Sequence, residues 1–214
     1  MSQLEIDEAA RPAAYELLAW GLTYPTAGMV AELADWQAVL AETFAAVGLS
    51  AVGVGKALAA LPQAETDRRQ ALQIEYTRLF INGVPHVLAP PYASAYANTG
   101  LLLGQPAEAA LRTYREAGLV FAADTHELPD HIAATLEFMA YLGRQELVAR
   151  HSGQLALADQ WLERQRNFLA QLLLPWTTTW QARVVEHDRT DFYAVLARLV
   201  VAWLQAEANR LERT

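Results

Sequence analysis

Between residues 126 and 137 the sequence gathers His126, Glu127, Asp130, His131 and Glu137. Histidines and carboxylates hold metals and move protons, so both chemistries are tested first. A helical zinc site sets two histidines at i and i+4. Here the spacing is His-Glu-x-x-x-His, one residue too long, and Pro129 falls between the histidines. No other ligands cluster with them, so no metal is expected. His131 reads more simply as a partner for Asp130 or for a carbonyl near a helix start. Asp130 and Glu137 could divide acid–base work. Seven residues along a helix is about 10 Å, however, which is long for one shared substrate atom. Asp130, just inside a helix beginning at Pro129, has a plainer use in satisfying the helix dipole.

Two other patterns fall short of a site. Gly53-Val-Gly-Lys56 lacks the spacing and the Ser or Thr of a phosphate loop, since Ala57 follows the lysine. Ser94 has His86 upstream but no Gly-x-Ser-x-Gly elbow. The chain has no cysteine, which removes disulfides, thiolate metal sites and a cysteine nucleophile. Neither catalysis nor a cofactor is expected.

The elements that must position these residues are helices. Leu72, Tyr76, Leu79 and Phe80 recur at helical spacing. So do Leu155, Ala158, Leu162, Gln165, Phe168, Leu169, Leu172 and Leu173, with Gln165 the one polar intruder, and then Phe192 through Ala206. Strand alternation is missing. The predicted architecture is all-α, a single-domain bundle of about eight to nine helices over residues 1–214. The spans fall near 8–24, 27–47, 51–61, 64–81, 106–117, 129–150, 153–174, 176–187 and 191–210. Gly48, Gly118 and Pro175 mark ends or breaks, and Pro106 and Pro129 open helices. One stretch, Asn82 to Gly104, is a Pro-rich loop in which Pro85, Pro90 and Pro91 forbid a regular helix. A loop of this length inside a compact domain is more often functional than not. This one is apolar and aromatic, unlike a solvated linker.

The order of blocks is similar to a known family. Glu75-Tyr-Thr-Arg-Leu-Phe80 is followed by Pro90-Pro-Tyr-Ala-Ser94-Ala-Tyr96, Leu103-Gly104, Tyr114-Arg-x-Ala-Gly118, and Leu128-Pro-Asp-His-Ile-Ala-x-x-Leu-Glu-Phe-Met139. Leu174-Pro-Trp176 and Phe192-Tyr193 come later. From about residue 10 to 208 this closely resembles the TorD/DmsD/NarJ family of redox-enzyme maturation chaperones. The resemblance implies a helical, non-catalytic cytoplasmic chaperone. It would bind the twin-arginine leader, and often the body, of an apo-molybdoenzyme and delay export until cofactor insertion. It places the leader and client surface on Tyr76, Leu79, Phe80, Pro90, Pro91, Tyr92, Ser94, Tyr96, Gly104, Pro129, Asp130 and His131. It leaves a monomer and a domain-swapped homodimer both open. Tyr92 stands where one branch tends to have Trp, Ala93 replaces Gly, and Thr135 stands where many relatives have Glu. These departures bear on the client rather than the family.

The acidic charge is accounted for by solubility alone, and it also agrees with such a partner. The formal net charge is −8, and Lys56 is the one lysine. An acidic protein repels nucleic-acid phosphates and anionic lipid, and no apolar run is long enough for membrane insertion. The N-terminus lacks the basic region of a secretory signal. A leader with two guanidinium groups and an apolar stretch needs an apolar groove with a few acids. The aromatic loop and Asp130 are expected to supply them. The alternatives are a helical cofactor-binding protein or small enzyme, and an assembly factor for a non-exported reductase subunit.

Overall fold

A computed structural model describes residues 3–83, 86–97, 104–120 and 127–213, with side chains from residue 10 onward. Among these residues there are nine α-helices: α1 Gln3–Gly21, α2 Ala27–Ala46, α3 Val52–Ala60, α4 Glu65–Tyr76, α5 Gln105–Glu116, α6 Ile132–His151, α7 Leu155–Phe168, α8 Leu174–His187 and α9 Phe192–Leu211. The fold is all-α. Within the described residues the one extended pairing is an isolated antiparallel bridge between Tyr92 and His131.

Two helices form the centre. In α9, twelve of twenty residues are buried, from Phe192 to Leu211, and in α6 eleven of twenty are buried. A helix apolar nearly all round must be covered on several sides. Accordingly α6 packs between α1 and α7, while α9 is covered by α1, α3, α7 and α8. Rings knit the middle of the core. Phe80 meets Tyr193 edge-on at 5.4 Å, and Trp203 meets Tyr15 and Phe44 at 5.3 and 5.8 Å.

Most predicted ends hold. Gly48 and Gly118 adopt φ of +78° and +81° just beyond α2 and α5, the left-handed conformation that closes a helix most easily at glycine. Three details differ from the sequence reading. Helix α1 begins at Gln3, not near residue 8. Helix α6 begins at Ile132, so Pro129 does not open it. The residues before it form a turn in which the His131 N–H donates to the Leu128 carbonyl at 3.0 Å. His131 is the N-cap, with Nδ1 accepting from the Ala133 N–H. Pro175 does not leave a gap either. The chain passes from α7 through a π-turn, Leu169–Leu173, directly into α8, and the Trp176 indole N–H donates to the Leu172 carbonyl at 2.8 Å. A second π-turn, Thr77–Ile81, prolongs α4.

The polar intruder Gln165 finds its reason inside the core. Arg11 of α1 is buried, and its guanidinium donates to Glu207 of α9 at 2.8–3.0 Å and to the Gln165 side-chain oxygen at 2.7 Å. The Gln165 amide in turn donates to Glu146 of α6 at 2.7 Å. Arg150 and Arg210 add two further cations, at 2.9 Å from Glu146 and Glu207. Burial opposes ionisation of both glutamates. The arginines and hydrogen bonds outweigh it and hold both carboxyls below their ordinary value.

Removing one partner strands buried charge. Arg11→Ala should therefore cost about 3–5 kcal/mol in urea unfolding, and Gln165→Leu less. Because both glutamates bind protons more weakly when folded, they stabilise fully above the unfolded carboxylate pKa of 4.5. That contribution is lost as pH falls through their lower folded values. His131, whose pKa burial lowers from 6.5, removes stability in the same direction from about that pH downward. Unfolding free energy measured from pH 7 to 3 should fall in both windows, and Arg11→Ala should flatten the lower one.

Candidate functional site

The Ala89 N–H donates to the Leu79 carbonyl at 2.9 Å, and three further hydrogen bonds tie residues 91–94 to residues 130–132. The Ala93 N–H donates to the Asp130 carbonyl at 3.1 Å, and the Ile132 N–H donates to the Pro91 carbonyl at 2.8 Å. The Ser94 N–H donates to Asp130 Oδ2 at 2.7 Å. The Tyr114 hydroxyl of α5 holds the Pro129 carbonyl at 2.6 Å. Further along, Tyr96 stacks on Trp176 at 5.3 Å with the Arg183 guanidinium 4.9 Å from its ring centroid.

This clamp settles where each anticipated residue lies. Pro91, Ser94, Pro129, Asp130 and His131 are buried around it, and Pro90, Tyr92 and Tyr96 are half-buried at its edge. Tyr76, Leu79 and Phe80 lie behind it in the core, where the Tyr76 hydroxyl donates to the Leu22 carbonyl at 3.2 Å. Gly104 caps α5, away from the clamp. Asp130 was expected to supply the groove's acid. Instead it is 0% exposed and commits Oδ2 to the Ser94 amide, so it positions the loop and does not face solvent. His126 and Pro85, with residues 98–103, lie outside the described residues. No cluster of three or more metal-ligating side chains occurs among those described.

The acids beside the clamp that reach an open pocket are Glu127 and Glu137. With Thr23, Tyr24, His131 and Ala133 they line a cavity of about 300 Å³ where the end of α1 meets the start of α6. The cap fixes the His131 tautomer. Because Nδ1 accepts a hydrogen bond, the ring proton sits on Nε2. Burial keeps the ring neutral by lowering its pKa. Nε2 has no hydrogen-bond partner among the described residues, and it lies 3.6 Å from Glu127 Oε2. The Tyr92 hydroxyl donates to the same oxygen at 3.1 Å, while its ring packs edge-on against His131 at 5.1 Å. One oxygen of Glu127 is thus held by the neutral Tyr92 hydroxyl, with the His131 imidazole edge nearby. Among the described residues no hydrogen bond reaches the other. Burial pushes the Glu137 carboxyl upward.

Glu137 and Ala134 also border a second cavity of about 190 Å³, walled by Tyr114, Leu119, Phe138 and Tyr141. An acidic pocket and an aromatic one therefore share a ridge. The pair suits a cationic side chain beside an apolar one. It holds no nucleophile–base pair, and its histidine is used as a cap. Sequence reasoning did not place Glu127, Thr23, Tyr24 or Tyr141 at a pocket, where the structure puts them. The signal that could have found Glu127 is its i, i+4 spacing to His131.

Comparison with known proteins identifies the family to which this all-α scaffold belongs. The family model for the nitrate reductase delta subunit matches residues 29–182, and the chain belongs to that family, in which the TorD- and NarJ-type chaperones fall. A chaperone protein TorD of Vibrio cholerae is 33% identical over 150 residues, covering 70% of this chain and 66% of that protein. One from Shewanella oneidensis is 33% identical over 149 residues, covering 67% and 62%. The chain thus spans just under two thirds of these relatives, which are named as chaperones and not as enzymes. A crystal structure of a putative redox enzyme maturation protein from Archaeoglobus fulgidus shares the fold, with a TM-score of 0.56 at 24% identity over 91% of each chain.

The clamp makes a local prediction. Asp130→Ala should cost about 1–3 kcal/mol by leaving the Ser94 amide unpaired in a dry site, and should speed amide exchange at Ala93, Ser94 and Ile132. Asp130→Asn keeps an oxygen acceptor and should do less of both. Exchange at these amides that is unaffected by Asp130→Ala would show the loop to be held by other means.

Proposed function

We propose that this protein is a cytoplasmic chaperone for a molybdoenzyme. In this reading it binds the twin-arginine leader or the apo-form of the client and delays export until the cofactor is in place. The observation that carries the reading is the pairing of Glu127 and Glu137 around the neutral His131 at the mouth of one pocket, with the aromatic pocket alongside. A leader arginine meets the free oxygen of Glu127, and its neighbouring apolar side chains enter the cavity walled by Tyr114, Phe138 and Tyr141. Family membership, with relatives named as TorD chaperones, supports the same reading. The family model's description, a reductase delta subunit, favours a second one: assembly of a reductase subunit that is not exported.

Titration with a synthetic twin-arginine leader tests the first reading. Glu127 is 45% exposed, so its ion pair is partly screened and is worth about 1–2 kcal/mol, roughly 5- to 30-fold in affinity. Glu127→Gln should weaken binding by that factor and reduce its salt dependence. A twin-lysine peptide should also bind less well, because an ammonium cannot make the planar two-point contact of a guanidinium. Equal binding of both peptides by wild type and Glu127→Gln would remove the pocket from the function.

A further inference from the structure

A larger cavity, about 600 Å³, lies between α1 and α2, away from the clamp. Its floor is aromatic and preformed. The Trp36 indole N–H donates to the Leu17 carbonyl at 3.0 Å, and the Trp20 ring lies over it at 5.3 Å. The two helices approach closely because residue 21 is glycine, where a Cβ would stand 2.8 Å from the Trp36 ring. Val39 extends the floor outward and is 51% exposed.

The rim is acidic. Glu16 from α1 faces Glu32 and Asp35 from α2. Glu16 is already paired with Arg144 of α6, but Glu32 and Asp35 are exposed and have no cationic partner among the described residues. Each helix contributes a stripe at i, i+3, i+4 and i+7: Ala13, Glu16, Leu17 and Trp20 on one, and Glu32, Asp35, Trp36 and Val39 on the other. A stripe of seven residues is about 10 Å, or two helical turns. Two such stripes side by side form the groove into which a third helix packs its own ridge.

We propose that this groove is a second docking site, for an amphipathic helix of a partner protein whose apolar stripe is flanked by lysine or arginine. The apolar stripe covers Trp20, Trp36 and Val39, and the flanking cations meet Glu32 and Asp35. Charge complementarity selects this occupant. An acidic helix or an anionic membrane surface would set like charges against the rim. The proposal stands whether or not the pocket at Glu127 takes a leader, because the two share no lining residue.

The test uses the full chain and a synthetic helical peptide with leucines at i, i+3, i+4 and i+7 and lysines beside them. The control peptide has glutamates in place of the lysines. The chain has no cysteine, so Val39→Cys supplies a single reporting thiol. The lysine peptide should slow its alkylation severalfold and the glutamate peptide should not. Calorimetric affinity for the lysine peptide should fall roughly 2- to 30-fold in Glu32→Gln/Asp35→Asn. These exposed positions leave the fold intact, which a thermal melt verifies. The same double variant should bind the twin-arginine leader as wild type does, so a failed leader titration and a failed groove titration are separate results. The proposal is overturned if both peptides protect the thiol equally or neither does. It is also overturned if the double variant keeps wild-type affinity, or if lysine-peptide binding is lost in Glu127→Gln, which would place that peptide in the other pocket.

Discussion

One buried guanidinium sets the register on which both pockets depend. Arg11 reaches from α1 to Glu207 on α9 and Gln165 on α7, and approaches Glu146 on α6 at 3.4 Å. Replacing such a network with apolar side chains often costs nothing, so its presence is weak grounds for high stability. Its geometric demand is another matter. An apolar stripe can slide by a turn and stay buried, whereas a guanidinium with several fixed acceptors cannot. One residue on, Pro12 lies against Gly143, where a Cβ would come within 3.2 Å of the proline ring. Together these contacts fix α1 along α6. That in turn places Thr23 and Tyr24 opposite Ala133 and Glu137, and Glu16 beside Arg144.

The clamp at Asp130 performs the corresponding task for the loop. It joins segments some 35 residues apart in sequence through two backbone hydrogen bonds and one side-chain acceptor. Its effect on Glu127 is indirect. By fixing residues 91–94 against 130–132 it brings the Tyr92 hydroxyl to the carboxylate, while the cap on α6 sets the His131 proton toward the same oxygen. A carboxylate held by one neutral hydroxyl keeps its charge for a ligand. Had a lysine or arginine oriented it, that charge would already be neutralised.

Much of this was legible in the sequence, and the unread part has a physical pattern. Helical periodicity and the glycines at 48 and 118 report on local backbone preferences, so the helices and many of their ends could be read directly. Gln165 could be recognised as anomalous, but its partner Arg11 is 154 positions away, and nothing local announces a long-range polar network. The start of α6 was misplaced because Pro129 followed by Asp130 satisfies the rules for a helix start. The competing structure is a turn stabilised by a bridge to Pro91 and Ala93, which is invisible until the chain folds. The same bridge reverses the roles of two acids. Asp130, in the most family-like motif, turns inward to hold the loop. Glu127 is part of the same stretch yet was read only as a candidate metal ligand, and it is left facing the pocket.

That reversal bears on what kind of binding the molecule can support. A fully buried Asp130 could pair strongly with an arginine only by admitting it into the clamp, at the expense of the Ser94 hydrogen bond and hence of the loop. Glu127 and Glu137 can bind a cation without dismantling anything, but their partial exposure limits each contact to a modest energy. Shallow acidic pockets on a chain of net charge −8 favour fast encounter and discrimination of charge pattern over tight holding. Affinity must then be built from several weak contacts spread over a surface, each reversible by itself. The proposed function, in which a client is released once maturation is complete, is served by that arrangement, since no single buried anchor has to be withdrawn.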